Sequence, residues 1–302
     1  MNLKKLLQTK YILVVLTVSL YACGGSKEGK NGNADTGKDT AKNIVNDIKE
    51  QNKKVLTKIP EPSEIPYMIK QTGAEFDPKL ANSPASSDKY KTTNSKAALN
   101  LGVYATDLGY MVIYDKVQNA IDYMNATQGL ADKLGIAGAF SPATVKRFKD
   151  NLSSIDSLTK IINESMKKSD DYLKSEERND IAALIFTGSF LEGLFVATEL
   201  VANYPKDELP EEARIQVLVG LVREVIKQKV PLGELIKALK ALNDKPADVN
   251  KLVTDLEELY KIYEDLNMEE KIRKNKGDLI LSDKSLIGIT KKVNAIRADI
   301  VN

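Results

Sequence analysis

The chain has no histidine, no tryptophan and a single cysteine, Cys23, among its 302 residues. Without histidine, the commonest general base and the commonest transition-metal ligand are both missing. One cysteine cannot form a disulfide within the chain or a zinc–thiolate site. Aromatic residues make up only 6%, which weighs against a stacking platform for carbohydrate. No glycine-rich phosphate loop follows a strand, because no segment keeps a period-two alternation. Catalytic residues, a metal and a cofactor are therefore all expected to be absent.

What is present is a helix-forming composition. Leu, Ile, Val, Ala, Lys and Glu abound, with 42% hydrophobic and 28% charged residues, enough to bury a core. At the amino terminus, Lys4, Lys5 and Lys10 precede the apolar run Tyr11–Leu20. A basic start, a short apolar stretch and a small residue at a cleavage point define a secretory signal. The run falls short of the about 20 residues that a membrane span needs.

The sequence Leu20-Tyr21-Ala22-Cys23 resembles the lipobox of bacterial lipoproteins, with Tyr21 a departure at its laxest position. That resemblance implies cleavage before Cys23 and acyl chains on the cysteine; several chains anchor stably where one is marginal. Gly24 rather than Asp after the cysteine implies, by resemblance to other Gram-negative lipoproteins, sorting to the outer membrane. Residues 24–38 hold five glycines and almost nothing apolar, the composition of a flexible tether reaching roughly 20 Å. Loss of the three leader lysines leaves 41 basic against 42 acidic residues. A nearly neutral chain gives no electrostatic footprint for nucleic acid. Residues 1–22 thus read as signal peptide, 23–38 as lipidated cysteine and tether, and 39–302 as a helical domain with a candidate subdomain junction near 205.

The fold class expected for that domain is all-α, a bundle of about eight or nine helices. A first helix is expected over 39–59, ended by Pro60, Pro62 and Pro66, and a short one over Tyr67–Gly73. Residues 74–95 read as a long surface loop. The segment from Ser95 through Ala126 is apolar nearly all round at first, as a central buried helix should be. Ser141-Pro142 gives a cap followed by proline at the first position of a helix whose apolar stripe is Val145, Phe148, Leu152, Ile155, Ile162 and Met166. Ser175 is expected to cap a second all-round apolar helix running to Tyr204. Pro210 opens another helix, Pro231 interrupts it, Pro246 opens the next, and Asp283 caps the last. Gly102, Ala105 and Gly109 share one face of the first apolar helix; Ser189, Gly193 and Ala197 share one of the second. Small residues at such spacing predict that the two helices pack closely at the centre.

The stretch Lys96–Tyr114 and the turn Leu130-Ala131-Asp132-Lys133-Leu134-Gly135-Ile136 resemble a group of uncharacterised lipoproteins from Bacteroidota. That resemblance implies a helical envelope protein and carries no activity and no site residues.

Asp107, Glu192 and Glu199 stand out because they interrupt the most apolar helices, where an ionised carboxylate is costly unless paired. With Tyr104, Tyr110 and Tyr114 they are the candidate ligand-binding residues. The competing reading is that each acid pairs with Lys or Arg, accepts from tyrosine hydroxyls, or reaches solvent. A ferritin-like di-metal site is excluded, since it requires Glu-x-x-His pairs. The functional expectation is a non-catalytic scaffold or binding module that contacts an envelope protein or a small ligand. The alternative is a carboxylate-dependent metal-binding protein or hydrolase. A hollow between the two apolar helices would point instead to a carrier of hydrophobic ligands.

Overall fold

The computed structural model describes residues 59–205, 209–243, 245–266 and 286–302. The signal peptide, Cys23, the tether, residues 39–58 of the helix expected over 39–59 and the Asp283 cap lie outside the described residues. All described residues belong to one compact unit, Val45–Asn302. Among them there are ten α-helices and no strand.

A short helix α1 (Glu64–Gln71) leads to two 3-10 turns, Pro78–Leu80 and Pro84–Thr92. Then follow α2 (Asn94–Ile113), α3 (Val117–Lys133), α4 (Pro142–Lys149), α5 (Ile155–Ser175) and α6 (Asn179–Ala202). The chain ends with α7 (Glu211–Lys227), α8 (Lys229–Lys240), α9 (Ala247–Asp265) and α10 (Ile287–Val301). Side-chain caps start several of them: Thr93 accepts from the Lys96 amide, Ser141 from Thr144 and Ser154 from Ser157, each satisfying an otherwise orphaned donor.

Two segments that read as continuous in the sequence are broken. The run beginning at Ser95 divides into α2 and α3 at Asp115, and the run beginning at Pro142 divides into α4 and α5 before the Ser154 cap. Ser175 ends α5 instead of capping α6. Three helices finish in the same way. Residues Asp115, Gly135 and Glu177 adopt left-handed backbone, with φ of 60°, 71° and 58°. The amides that follow them, at Lys116, Ile136 and Arg178, return to the carbonyls of Met111, Ala131 and Leu173. This closure satisfies the last carbonyls of each helix.

The core is organised around α2 and α6. Every residue of α2 from Ala97 to Ile113 is buried, and α6 is buried nearly all round. At their crossing, a Cβ on Gly102 would overlap the Ile185 carbonyl and the Ser189 amide. One on Gly188 would overlap the Leu99 carbonyl. The backbones therefore touch, and no hollow separates the two helices there. Beside this crossing, Thr106 donates to the Ser189 carbonyl at 3.1 Å, and their hydroxyls lie 2.8 Å apart. Gly109 and Gly193, read as part of the same seam, instead receive the chain entering α1: Gly109 faces Pro62 and Ser63, and Gly193 faces Ile65. By length and composition α6 could cross a bilayer, but 89% of its most apolar window is buried inside the domain. It is a core helix.

Around this pair, α3 and the 84–92 turn pack on α2, while α10 lies on α6 and is held in turn by α9. The residues on both sides of 205 contribute to one continuous apolar cluster.

Candidate functional site

Tyr104, Asp107, Tyr110 and Tyr114 recur at three- and four-residue intervals and so line one face of α2. That face is covered: Tyr104, Asp107 and Tyr110 have no exposed surface. It holds the backbone of residues 74–83, which crosses it in the opposite direction. Tyr104 Oη donates to the Ser83 carbonyl at 2.6 Å, and Asp107 Oδ2 accepts from the Asn82 amide at 2.9 Å. Tyr110 Oη accepts from the Asp77 amide at 2.9 Å, and Tyr114 Oη donates to the Ala74 carbonyl at 2.8 Å. An irregular segment laid on a core must find partners for its amides and carbonyls, and these four side chains supply them. The segment read from the sequence as a surface loop is thus a strap, with Leu80 buried beneath it and Tyr90 in the turn that follows. Phe76 packs on Tyr110 and Tyr114 with ring centroids 4.9 and 5.6 Å away. Burial raises all three phenols above the usual tyrosine range, Tyr110 to about 12.

The acids of α6 face another partner. Glu192 is fully buried, and both of its oxygens accept from Arg297 of α10: Nε to Oε2 at 2.7 Å and Nη2 to Oε1 at 2.8 Å. The guanidinium also lies 3.9 Å from the Phe195 ring centroid, a favourable seat for a desolvated cation. Its Nη2 reaches the Leu80 carbonyl of the strap at 3.5 Å. Glu199, seven residues on and on the same face as expected, is only partly buried. It accepts from Asn203 at 2.8 Å and from Asn294 of α10 at 2.7 Å.

Of the six candidate residues, Asp107 and Glu192 are brought together, across the α2–α6 interface. Glu199 stands apart, and the tyrosines serve the strap. Burial first, and the Glu192 charge second, push the Asp107 carboxyl well above the usual carboxylate range. Sequence reasoning missed Arg297. Its signal was a lone arginine beside the apolar stripe Val293, Ile296 and Ile300 of the last helix. It also missed Asn100 and Tyr90, which hold the end of α10: Asn100 Nδ2 donates to the Ile300 carbonyl at 3.0 Å and Tyr90 Oη to Val301 at 2.8 Å.

No family model, curated protein or solved structure matches this chain. The chemistry of the site must therefore be read from its geometry. A carboxyl pair could in principle act as acid and base, but here one member is occupied by a bidentate guanidinium and the other lies under the strap. Among the described residues, no group of three His, Cys, Asp or Glu side chains is placed to hold a metal. Three surface hollows of about 490, 310 and 260 Å³ are lined by other residues, the largest by Tyr67, Ile113, Ile155 and the charged edge of α5.

Proposed function

We propose that the chain is a cell-envelope lipoprotein, held to the outer membrane by acyl chains on Cys23, whose helical domain is a non-catalytic scaffold or binding module. The observation that carries the second half is the bidentate Glu192–Arg297 pair. The acids that make the sequence look chemically interesting are engaged in joining α6 to α10 and α2 to the strap. Among the described residues, neither Asp107 nor Glu192 lines any of the three surface hollows, and Glu199 is held by Asn203 and Asn294. A buried ion pair with this geometry fixes how elements meet more than it adds stability. The anchor half rests on the lipobox resemblance of Leu20–Cys23 and the tether-like composition behind it. A domain on such a tether works by meeting something in the envelope.

Cells grown with an alkyne-tagged fatty acid test the anchor. Mass spectrometry of the mature N-terminal peptide is expected to find acylated Cys23, and Cys23→Ser to leave the leader uncut and the protein unlabelled. A serine variant that is trimmed normally and still fractionates with outer membranes would overturn the anchor. In-cell crosslinking tests the binding module: a recurrent envelope protein or small ligand is expected, and recovery of lipid alone contradicts it.

A further inference from the structure

Asp107 has no exposed surface. Its Oδ2 accepts from the Asn82 amide, while Oδ1 is buried with no donor among the described residues. The neighbouring side chain is Glu192, and neither Glu192 oxygen needs anything from Asp107, because each already accepts from Arg297. Charged and titratable groups face Asp107 from several elements: Glu192 from α6, Arg297 from α10, Tyr123 from α3, and Tyr104 and Tyr110 from α2 itself, with Tyr90 of the 84–92 turn beside Tyr104 and Arg297. The strap contributes only backbone, the Asn82 amide and the Leu80 carbonyl. Tyr104, Tyr110 and Tyr123 are held in the neutral phenol form by burial. One guanidinium therefore stands against two buried carboxyl groups, and a second unpaired negative charge in such a place is very costly.

We propose that Asp107 carries a proton that it shares with Glu192, and that this proton is a pH-sensitive latch fastening the strap and α10 onto α2 and α6. With the proton on Oδ1, that oxygen becomes a donor toward the Glu192 carboxylate and is no longer an orphaned acceptor. The cluster is then neutral, one carboxylate against one guanidinium. Loss of the proton sets like charges against each other where α2, α6, α10 and the strap converge. The elements able to yield are those held at the cluster from outside, the strap through Asn82 and Leu80 and α10 through Arg297.

The direction of the pH effect follows from linkage. The folded state keeps a proton that the unfolded chain releases above about pH 4. Stability from this group is therefore greatest on the acid side and declines as pH rises from there through the raised folded-state value.

The test is thermal unfolding of the full-length chain in detergent, from about pH 5 to about pH 9, as wild type and as Asp107→Asn. Asparagine reproduces the protonated acid, with an oxygen for the Asn82 amide and an N–H for Glu192, but cannot ionise. The wild-type midpoint is expected to drop by several degrees across this range. The variant should lose most of that slope and be the more stable of the two at the alkaline end. Trypsin cleavage at Lys79, exposed on the strap, should accelerate several-fold with pH in the wild type relative to the variant. Parallel pH profiles for the two proteins would overturn the latch. Should the variant fail to fold, the infrared spectrum of the wild type decides: a carboxylic-acid carbonyl band persisting at neutral pH supports the shared proton, and its absence rejects it.

Discussion

Gly102 and Gly188 lie against each other where α2 crosses α6, and neither position has room for a side chain. A Cβ at Gly188 would strike the backbone of Leu99, which cannot swing aside as the end of a flexible side chain can. The helices would have to separate along a buried seam. Gly188→Ala is therefore expected to cost about 3 kcal/mol or more, at the upper end of overpacking effects. Gly138→Ala makes the same chemical change where nothing lies within 4 Å and should be neutral or slightly stabilising. Urea unfolding of the two variants checks the contrast. Because separating the helices once makes room for both methyl groups, Gly102→Ala added to Gly188→Ala should cost less than the sum of the two.

Among the described residues, Arg297 is the one charge that meets both oxygens of Glu192. Its side chain is 15% exposed and that of Glu192 not at all. Arg297→Met should therefore destabilise by about 3–5 kcal/mol, the cost of leaving a buried carboxylate alone. Adding Glu192→Gln removes the stranded charge, so the double variant should recover much of the loss. Arg297→Lys should recover little, since one ammonium cannot reproduce a two-pronged contact. A double-mutant cycle by denaturant unfolding measures this directly. Two single variants that cost no more than a surface substitution would show that the pair is not the joint described above.

The tyrosine ladder predicts a local effect. Tyr104→Phe and Tyr114→Phe keep the ring and delete only the hydroxyl that donates to Ser83 or Ala74. Each is expected to cost about 1 kcal/mol. The loss should appear first in the strap, as faster hydrogen exchange at the amides of residues 74–83, with α2 and α6 unchanged. Uniformly faster exchange across all helices would mean that the strap does not open on its own.

Helix class and helix core were legible because they depend on periodicity. The all-round apolar runs of α2 and α6 announced a central pair, and their small residues announced close approach. Helix ends were less legible. Glycine is the usual sign of the left-handed residue that closes a helix, and it gave notice at Gly135. Asp115 and Glu177 do the same work with side chains that carry no such sign, so the sequence ran α2 into α3 and placed the start of α6 too early. The break between α7 and α8 falls at Gln228, three residues before Pro231, because proline is tolerated in a first turn.

The site was half legible for a related reason. A carboxylate in an apolar helix signals that something must compensate it, and this singled out Asp107 and Glu192. Which partner compensates depends on tertiary contact. Arg297 lies 105 residues from Glu192, and Asn82 lies 25 residues before Asp107. Nothing local in the sequence links them. The regular spacing of Tyr104, Asp107, Tyr110 and Tyr114 showed a shared face. It could not show that the face would be covered by backbone, since a strap of polar residues reads as a loop wherever it lies.

The outer network of α9 and α10 supplies the opposite case. Lys251 bridges Asp255 and Asp299 at 2.7 and 2.6 Å, yet its side chain is 63% exposed. Lys292, 17% exposed, bridges Asp255 and Glu258 at 2.7 and 2.5 Å. The attraction between exposed charges is weakened by solvent and further by salt. Lys251→Ala is therefore expected to leave the unfolding midpoint unchanged, despite two contacts of ideal length. Lys292→Ala should lower stability by up to about 1 kcal/mol at low salt, because it leaves the half-buried Asp255 with its exposed partner alone. Raising the salt concentration should shrink the Lys292 effect while leaving that of Arg297→Met nearly intact, since a pair sealed in the core is poorly reached by counterions. Equal salt sensitivity of the two would place Arg297 among the surface charges and contradict its role as the bolt between α6 and α10.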